Sequence, residues 1–442
     1  MKLSSFCIVL PTNVEGMHII RNTMTDSIIL VDKQLLAILQ TMPKVSNRQI
    51  ANYSEEIEEC KTQGILVSKD KDEMKIFHES FQESRYHPET YNPYVAVTTG
   101  CNLNCSYCYE DGIFRGSTMN KTTIKQVIEY CTRIFIGDNY KDFWITLYGG
   151  EPLLNYQLLQ NLILGFKKQE DIIGAPINFD IVTNATLLSQ ERARWLVRHG
   201  LQRAQITFDG NSTSHNLRRR YPSGKGTFNK ILNNLIGAVD IIPEIRVRCN
   251  FDSSNRESLY ELIDILADRG LSGKVFLYFA PINEIIPTDN DPQCAARFCS
   301  QYRLSDAKMA ETLVALCGYA KQKGFETTDK YEVSPCMSTI ENGVVIDPEG
   351  NLYKCLSFIG RKEFIVGTIW GEDKNSLYQE FMDDSFISSC YQKRCPYIPI
   401  CGGGCRFEAF VSKGDYKSQF CRSSFVKKVN NGLTKLHYSN TT

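Results

Sequence analysis

At 442 residues, 42% of them hydrophobic and 23% charged, the chain has the make-up of a globular protein with two or three domains, not a single core. Lys plus Arg and Asp plus Glu balance at 50 each, so no overall field draws it to nucleic acid or to an anionic membrane. No stretch approaches the ~18 apolar residues of a membrane span, and the early apolar run from Phe6 to Leu10 is too short for a signal-peptide core.

Residues 1–85 read as a small unit: strands near 5–10 and 18–31, helices over 33–42 and 47–63, and a closing strand at 65–67. Ile50, Tyr53, Ile57 and Cys60 give the second helix its spacing, and Gly64 stops it. This order predicts a winged-helix-like domain. Such folds often serve DNA, but residues 1–85 hold 10 Lys and Arg against 12 Asp and Glu, the wrong balance for a phosphate-binding surface. After a linker at 86–93, strands are predicted at 94–99, 143–148, 178–183, 203–208, 245–251 and 274–280, with helices such as 189–199 and 253–269 between them. Six such units predict an α/β fold, a partial (β/α)6 TIM barrel over 86–305, with functional residues at the C-terminal strand ends. Residues 306–442 form a cysteine-rich third domain.

The chain holds 17 cysteines. Without an export signal, that count implies metal binding in a reducing cytoplasm and not a disulfide framework. Cys101-x3-Cys105-x2-Cys108 follows the first barrel strand, and thiolates at this spacing suit an iron–sulfur cluster or zinc. Three ligands leave one coordination position open to chemistry, or to a fourth ligand elsewhere in a structural zinc site. The second strand runs into Gly149-Gly150-Glu151, where missing Cβ atoms let backbone approach a ligand and a carboxylate can accept from an ammonium. Arg218, Arg219 and Arg220 read either as a solvated run or as a carboxylate clamp. Cys7, Cys60, Cys131 and Cys249 sit in apolar surroundings, as buried hydrophobes do.

The C-x3-C-x2-C run, with the aromatic Tyr107 before its last cysteine, resembles the signature of the radical S-adenosylmethionine (radical SAM) superfamily. The resemblance implies that Cys101, Cys105 and Cys108 hold a [4Fe-4S] cluster. Its fourth iron takes the amino and carboxylate groups of SAM, which one electron splits into methionine and a 5′-deoxyadenosyl radical. Gly149, Gly150 and Glu151 are similar to the superfamily's GGE motif for the SAM amino group. Tyr107, Asn184, Thr207, Asp209, Arg219 and Asn250 match positions lining the SAM or substrate side. Ala185 stands where relatives usually have Gly, and His215-Asn216 where they show His-Asp.

The last third resembles the SPASM extension, which carries auxiliary [4Fe-4S] clusters. By that pattern Cys336, Cys355 and Cys405 hold a nearer cluster, and Cys390, Cys395, Cys401 and Cys421 a farther one. Cys390-x4-Cys395 is two residues longer than the usual spacing. The nearer cluster has no obvious fourth ligand; either Cys317, Cys299 or Cys294 supplies it, or the site stays open to substrate. Residues 1–85 are similar to the peptide-recognition element fused to enzymes that modify ribosomally made peptides, where a leader pairs along an exposed strand edge. Together these features imply a cytoplasmic radical SAM/SPASM oxidoreductase using SAM, one SAM-binding cluster and two auxiliary clusters. Its substrate would be a ribosomally made precursor peptide held by the N-terminal domain. Its product would be a thioether or carbon–carbon cross-link, and its electron donor a flavodoxin or ferredoxin. A sulfatase-maturating type of protein oxidase, or a non-catalytic iron–sulfur or zinc scaffold or electron carrier, stands as the alternative.

Overall fold

The structure, a computed structural model, describes residues 1–439 apart from 43, 45–49, 109, 111–115, 283–302, 331, 333–334 and 372–373. Six strands, Tyr94–Thr98, Asp142–Gly149, Ile177–Thr183, Leu201–Phe208, Glu244–Phe251 and Phe276–Pro281, lie side by side in chain order and pair in parallel. Alternation along each strand sorts the side chains. Phe143, Ile145, Leu147, Phe179, Ile181, Ala204, Ile206, Val247 and Cys249 are buried, as expected of the faces toward the intervening helices. The alternate positions Trp144, Tyr148, Gln205, Arg246, Arg248 and Tyr278 are half-buried and form an interior that is polar and not sealed.

The sheet does not close. Beyond the sixth strand it gains Glu326–Thr327, and beyond the first it gains Val345–Ile346, both in parallel. The strands Asn351–Tyr353 and Gly367–Thr368 then extend it antiparallel. The barrel sheet therefore runs into the cysteine-rich third of the chain. No helix among the described residues is long and apolar enough to cross a membrane.

In the N-terminal unit, Cys7–Pro11, Met17–Asn22 and Ile28–Asp32 form an antiparallel sheet with the middle segment central. The helix Lys33–Thr41 follows, capped where Asp32 accepts from Leu35 N at 2.7 Å. The second helix is Ser54–Thr62, shorter than the predicted 47–63; residues 47–49 lie outside the described part. Leu66–Val67 closes the unit by pairing with Lys2–Leu3.

A helix that the sequence reading did not place, Glu73–Tyr86, joins this unit to the rest. Its Phe77 and Phe81, with Phe6, pack against Phe386, Ile387 and Ile398. Arg85, 1% exposed, donates to Thr339 O at 2.8 Å and to Met382 O. Arg21 reaches the last helix, donating to Thr434 Oγ1 at 3.0 Å. The N-terminal unit is thus fixed onto the C-terminal third of the chain.

Candidate active site

The loop after the first barrel strand is held by the turn after the fourth. Asn104 N donates to Arg220 O at 2.8 Å and Ser106 N to Arg218 O at 3.0 Å. Cys101 is exposed as a residue, yet its sulfur accepts from Leu103 N at 3.4 Å and from Asn184 Nδ2 at 3.8 Å. Loss of solvent pushes its thiol up to about 12 and raises those of Cys105 and Cys108 too. The three are electrostatic neighbours, Cys105 acting on both others. Binding iron here requires thiolates, so it would release protons from thiols that burial keeps neutral.

Gly149 and Gly150 serve packing between strand ends. A Cβ on Gly149 would lie 2.1 Å from Thr98 O, and one on Gly150 2.5 Å from Gly100 O. Close backbone contact by itself demands glycine at both positions. Glu151, fully buried, accepts from Thr183 Oγ1 at 2.7 Å, Asn184 N at 2.7 Å and Leu153 N at 3.0 Å. Desolvation raises its carboxyl above the usual range, and those hydrogen bonds oppose the shift. Glu151 therefore ties the second strand end to the third. Asn184 then reaches back to Asn102 Oδ1 at 2.9 Å, and Asn102 to Thr186 Oγ1 at 2.8 Å. Asn102 and Thr186, which sequence reasoning missed, fix the cysteine loop to the third strand end.

The turn itself keeps the shape glycine would give it. Ala185 is fully buried at φ +60°, and Asn234 Nδ2 braces its carbonyl at 2.7 Å. A left-handed conformation costs an L-residue about 1–2 kcal/mol, offset in part by the ~0.5–1 kcal/mol of extra chain entropy glycine loses. Ala185→Gly is expected to stabilise the protein by about 0.5–1 kcal/mol, read as a higher denaturant midpoint; a lower midpoint would show that the methyl's packing outweighs the strain.

At the fourth strand end Asp209 is fully buried, Arg218 4% exposed and Arg219 9% exposed, whereas Arg220 points to solvent. The arginine run is therefore a solvated face at one residue only. Arg218 Nε donates to Asp209 Oδ2 at 3.3 Å, and its Nη1 to Asp252 Oδ2 at 2.8 Å and Ser254 Oγ at 3.0 Å. Its guanidinium lies 5.1 Å from the Tyr107 ring centroid. Arg219 Nη1 and Asn250 Nδ2 both donate to Tyr107 Oη, at 2.8 and 3.1 Å. Tyr107, Asp209, Arg219 and Asn250 thus converge beside the cysteine loop. Thr207 is buried two residues before Asp209. Within this cluster Asp209 Oδ1 and Arg219 Nε are buried without a hydrogen-bond partner among the described residues. An acceptor and a donor left open together suit a ligand carrying both an ammonium and a carboxylate.

His215 serves structure. Asp209 N donates to its Nδ1 at 3.3 Å, so the proton sits on Nε2 and is given to Thr227 Oγ1 at 3.0 Å; Thr227 Oγ1 in turn donates to Arg219 O at 2.7 Å. Burial pulls its pKa down to about 3. The unfolded chain, with His near 6.5, binds a proton that the folded state refuses. This contribution to stability is full above pH ~6.5 and is lost as pH falls toward 3, at up to about 1.4 kcal/mol per pH unit. Replacing His215 with Gln should flatten that part of the stability profile between pH 7.5 and 4.5; an unchanged slope would assign it to other groups.

In the last third the cysteines fall into two groups. Cys336 and Cys355 both act electrostatically on Cys405, and Cys336 on Cys355. Separately, Cys395, Cys401 and Cys421 all act on Cys390. Burial pushes Cys355 and Cys390 up to about 12 and Cys401 to about 11. Gln419 Nε2 donates to Cys390 Sγ at 2.6 Å, the kind of second bond that orients a thiolate ligand. Cys317 is fully buried and bonded to Thr327 Oγ1 at 3.5 Å, with Cys249 as a neighbouring thiol. Cys294 and Cys299 lie outside the described residues. Among the described residues, no group of three or more His, Cys, Asp or Glu side chains is arranged to hold a single metal ion. Cys60, Cys131 and Cys249 are buried in apolar cores, and Cys7 is half-buried.

The Radical SAM superfamily model matches residues 95–266, the stretch that carries the cysteine loop and the first five strand ends. This stretch is a radical SAM domain. The cofactors of such a domain are S-adenosylmethionine and an iron–sulfur cluster. The chain is similar to a cysteine-type anaerobic sulfatase-maturating enzyme of Clostridium novyi, 23% identical over 376 residues, covering 77% of this chain and 95% of that one. Among solved structures, native anSMEcpe with bound AdoMet and Kp18Cys peptide superposes on 80% of this chain and 100% of its own, at TM-score 0.62 and 18% identity. Streptococcus suis SuiB bound to precursor peptide SuiA covers 95% of this chain and 98% of its own, at TM-score 0.53 and 13% identity. At these identities the likeness of the structures is one of fold. The 5% of this chain that the SuiB match omits is too short to leave out the N-terminal unit.

Proposed function

We propose that this radical SAM enzyme modifies a ribosomally made peptide, installing a thioether or carbon–carbon cross-link. The observation that carries this reading is the N-terminal unit. The sulfatase-maturase fold leaves a fifth of this chain unmatched, whereas the fold of the peptide-bound SuiB spans nearly all of it. The unit's sheet ends in the edge strand Ile28–Asp32, whose outer neighbour is unfilled among the described residues and whose Leu30 is exposed. An apolar edge without Pro or Lys invites a further strand, and a winged-helix-like unit presenting it is suited to a leader peptide.

In this reading Cys101, Cys105 and Cys108 hold the SAM-binding [4Fe-4S] cluster. Tyr107, Asp209, Arg219 and Asn250 line the SAM side, with Thr207 behind them, while Gly149, Gly150, Glu151 and Asn184 set the cysteine loop against it. When bound, SAM and its cluster supply a carbon-centred radical able to take hydrogen from a substrate carbon. Cys336, Cys355 and Cys405 hold one auxiliary cluster of a SPASM-type domain. Cys390, Cys395, Cys401 and Cys421 hold the other. A flavodoxin or ferredoxin supplies the electron. Reconstituted protein should then carry about twelve iron atoms, four per cubane; a value near four, or tightly bound zinc, would contradict the auxiliary clusters.

A second reading, a sulfatase-maturating type of protein oxidase, is favoured by the match to nearly the full length of the Clostridium novyi enzyme. Product mass separates the two. A cross-link removes hydrogen and keeps every sulfur, while oxidation of a sulfatase cysteine to an aldehyde removes the sulfur.

A further inference from the structure

The barrel interior carries three arginines at alternate inward positions, Arg203, Arg246 and Arg248. Two of them are neutralised within the sheet. Arg203 pairs with Asp180 and comes within 3.9 Å of Glu244, and Arg246 pairs with Glu244. Arg248 has no carboxylate within ion-pair distance among the described residues. Its Nε donates to Asn250 Oδ1 at 2.8 Å, and its guanidinium lies 5.6 Å from the Tyr278 ring centroid. These contacts occupy one edge and one face of the guanidinium. Both Nη nitrogens are left without an acceptor among the described residues, on a side chain that is only half-buried.

Its direction follows from the alternation of the strand: Val247 and Cys249 on either side are fully buried on the outward face, so the half-buried Arg248 faces the lumen. Along the fifth strand Arg248 lies two residues before Asn250, about 6.6 Å in a parallel strand, and Asn250 donates to Tyr107 beside the cysteine loop. A guanidinium is thereby held one strand step below the convergent site, braced on its Nε edge with its Nη fork open. That fork matches a carboxylate in bidentate geometry, and the half-enclosed position strengthens the pair.

We propose that Arg248 anchors a carboxylate of the peptide substrate, setting the backbone of the residue to be attacked within a residue or two of an acidic side chain or of the C-terminus. This rests on the peptide-modifying reading above. It explains why one interior arginine lacks the internal partner that its two neighbours have.

Binding tests it on the full-length reconstituted holoenzyme. The enzyme, immobilised with SAM and without reductant, is exposed to a synthetic hexapeptide library made once as C-terminal acids and once as C-terminal amides. Retained peptides are sequenced by mass spectrometry. The native protein should enrich Asp- or Glu-bearing peptides over their Asn or Gln counterparts by about tenfold, the scale of one charge-assisted pair. Enrichment confined to the acid library would assign the fork to a C-terminus instead of a side chain. Arg248→Gln should bring the enrichment below about twofold with SAM affinity within about threefold, and Arg248→Lys should keep part of it. Equal enrichment by Arg248→Gln and the native protein, or none by the native protein, would overturn the proposal. So would a loss of SAM affinity of tenfold or more in Arg248→Gln with peptide retention unchanged, which would give the guanidinium to SAM. The peptide-modifying reading fails separately, if retained acidic peptides keep their mass after reductant is added.

Discussion

Replacing Cys101, Cys105 and Cys108 together with Ala is expected to abolish 5′-deoxyadenosine formation while leaving about eight of roughly twelve iron atoms in place. The three thiols share one loop, and that loop touches the turns bearing Glu151, Asn184 and Arg219. Without thiolates the loop retains its backbone bonds to Arg218 and Arg220, so the fold should survive and the loss should be chemical. The seven C-terminal cysteines form two groups of their own, which is why their iron should remain. Iron analysis and chromatographic detection of 5′-deoxyadenosine read both halves. Undiminished 5′-deoxyadenosine from the triple variant would end the radical SAM assignment of these cysteines.

The second large effect concerns the helix Glu73–Tyr86. A chain beginning at Tyr86 loses Phe77 and Phe81, which are seated against the segment that carries Cys390 and Cys395, and the buried Arg85, which donates to Thr339 O and Met382 O. Removing a buried Phe costs about 3–5 kcal/mol, so two such losses approach the entire ~5–15 kcal/mol that stabilises a typical domain. Such a chain should melt far below the full-length protein and lose iron from the Cys390 group. A chain beginning at Lys71 retains the helix and its Asp72 cap, whose Oδ1 accepts from Lys75 N at 3.3 Å. It should fold, bind iron and cleave SAM, yet process a full-length precursor poorly, because the edge strand Ile28–Asp32 is gone. Equal melting of the Tyr86 chain and the full-length protein would show that the N-terminal contacts are incidental.

Much of this arrangement was legible in the residues. All six barrel strands fall within two residues of their predicted limits, because buried Phe, Ile, Leu and Val recur at alternate positions along most of them. Cysteine spacing located the loop after the first strand for a similar reason: the pattern is local. Contacts between distant segments were not legible. Arg218 was indistinguishable from a solvated run until the fold brought Asp252 and Ser254 to it from the next strand end. Asn102 and Thr186 are ordinary polar residues in sequence, and only the convergence of the first and third strand ends makes them partners. The helix Glu73–Tyr86 is a different case, since Met74, Phe77, Phe81 and Arg85 do follow helical spacing. Its charged surface, with His78, Glu79 and Glu83 between them, resembles linker composition, and the distant Phe386 and Ile398 supply the reason it is buried.

The central claim, that this site takes hydrogen from a peptide carbon, can be read in the nucleoside product. Reconstituted full-length enzyme is incubated with SAM, reductant and a pool of peptides deuterated at every carbon, and the 5′-deoxyadenosine is weighed. Hydrogen abstraction from a peptide predicts 5′-deoxyadenosine carrying one deuterium, with the labelled fraction rising with peptide concentration. Abundant 5′-deoxyadenosine that stays unlabelled at every peptide concentration would contradict it.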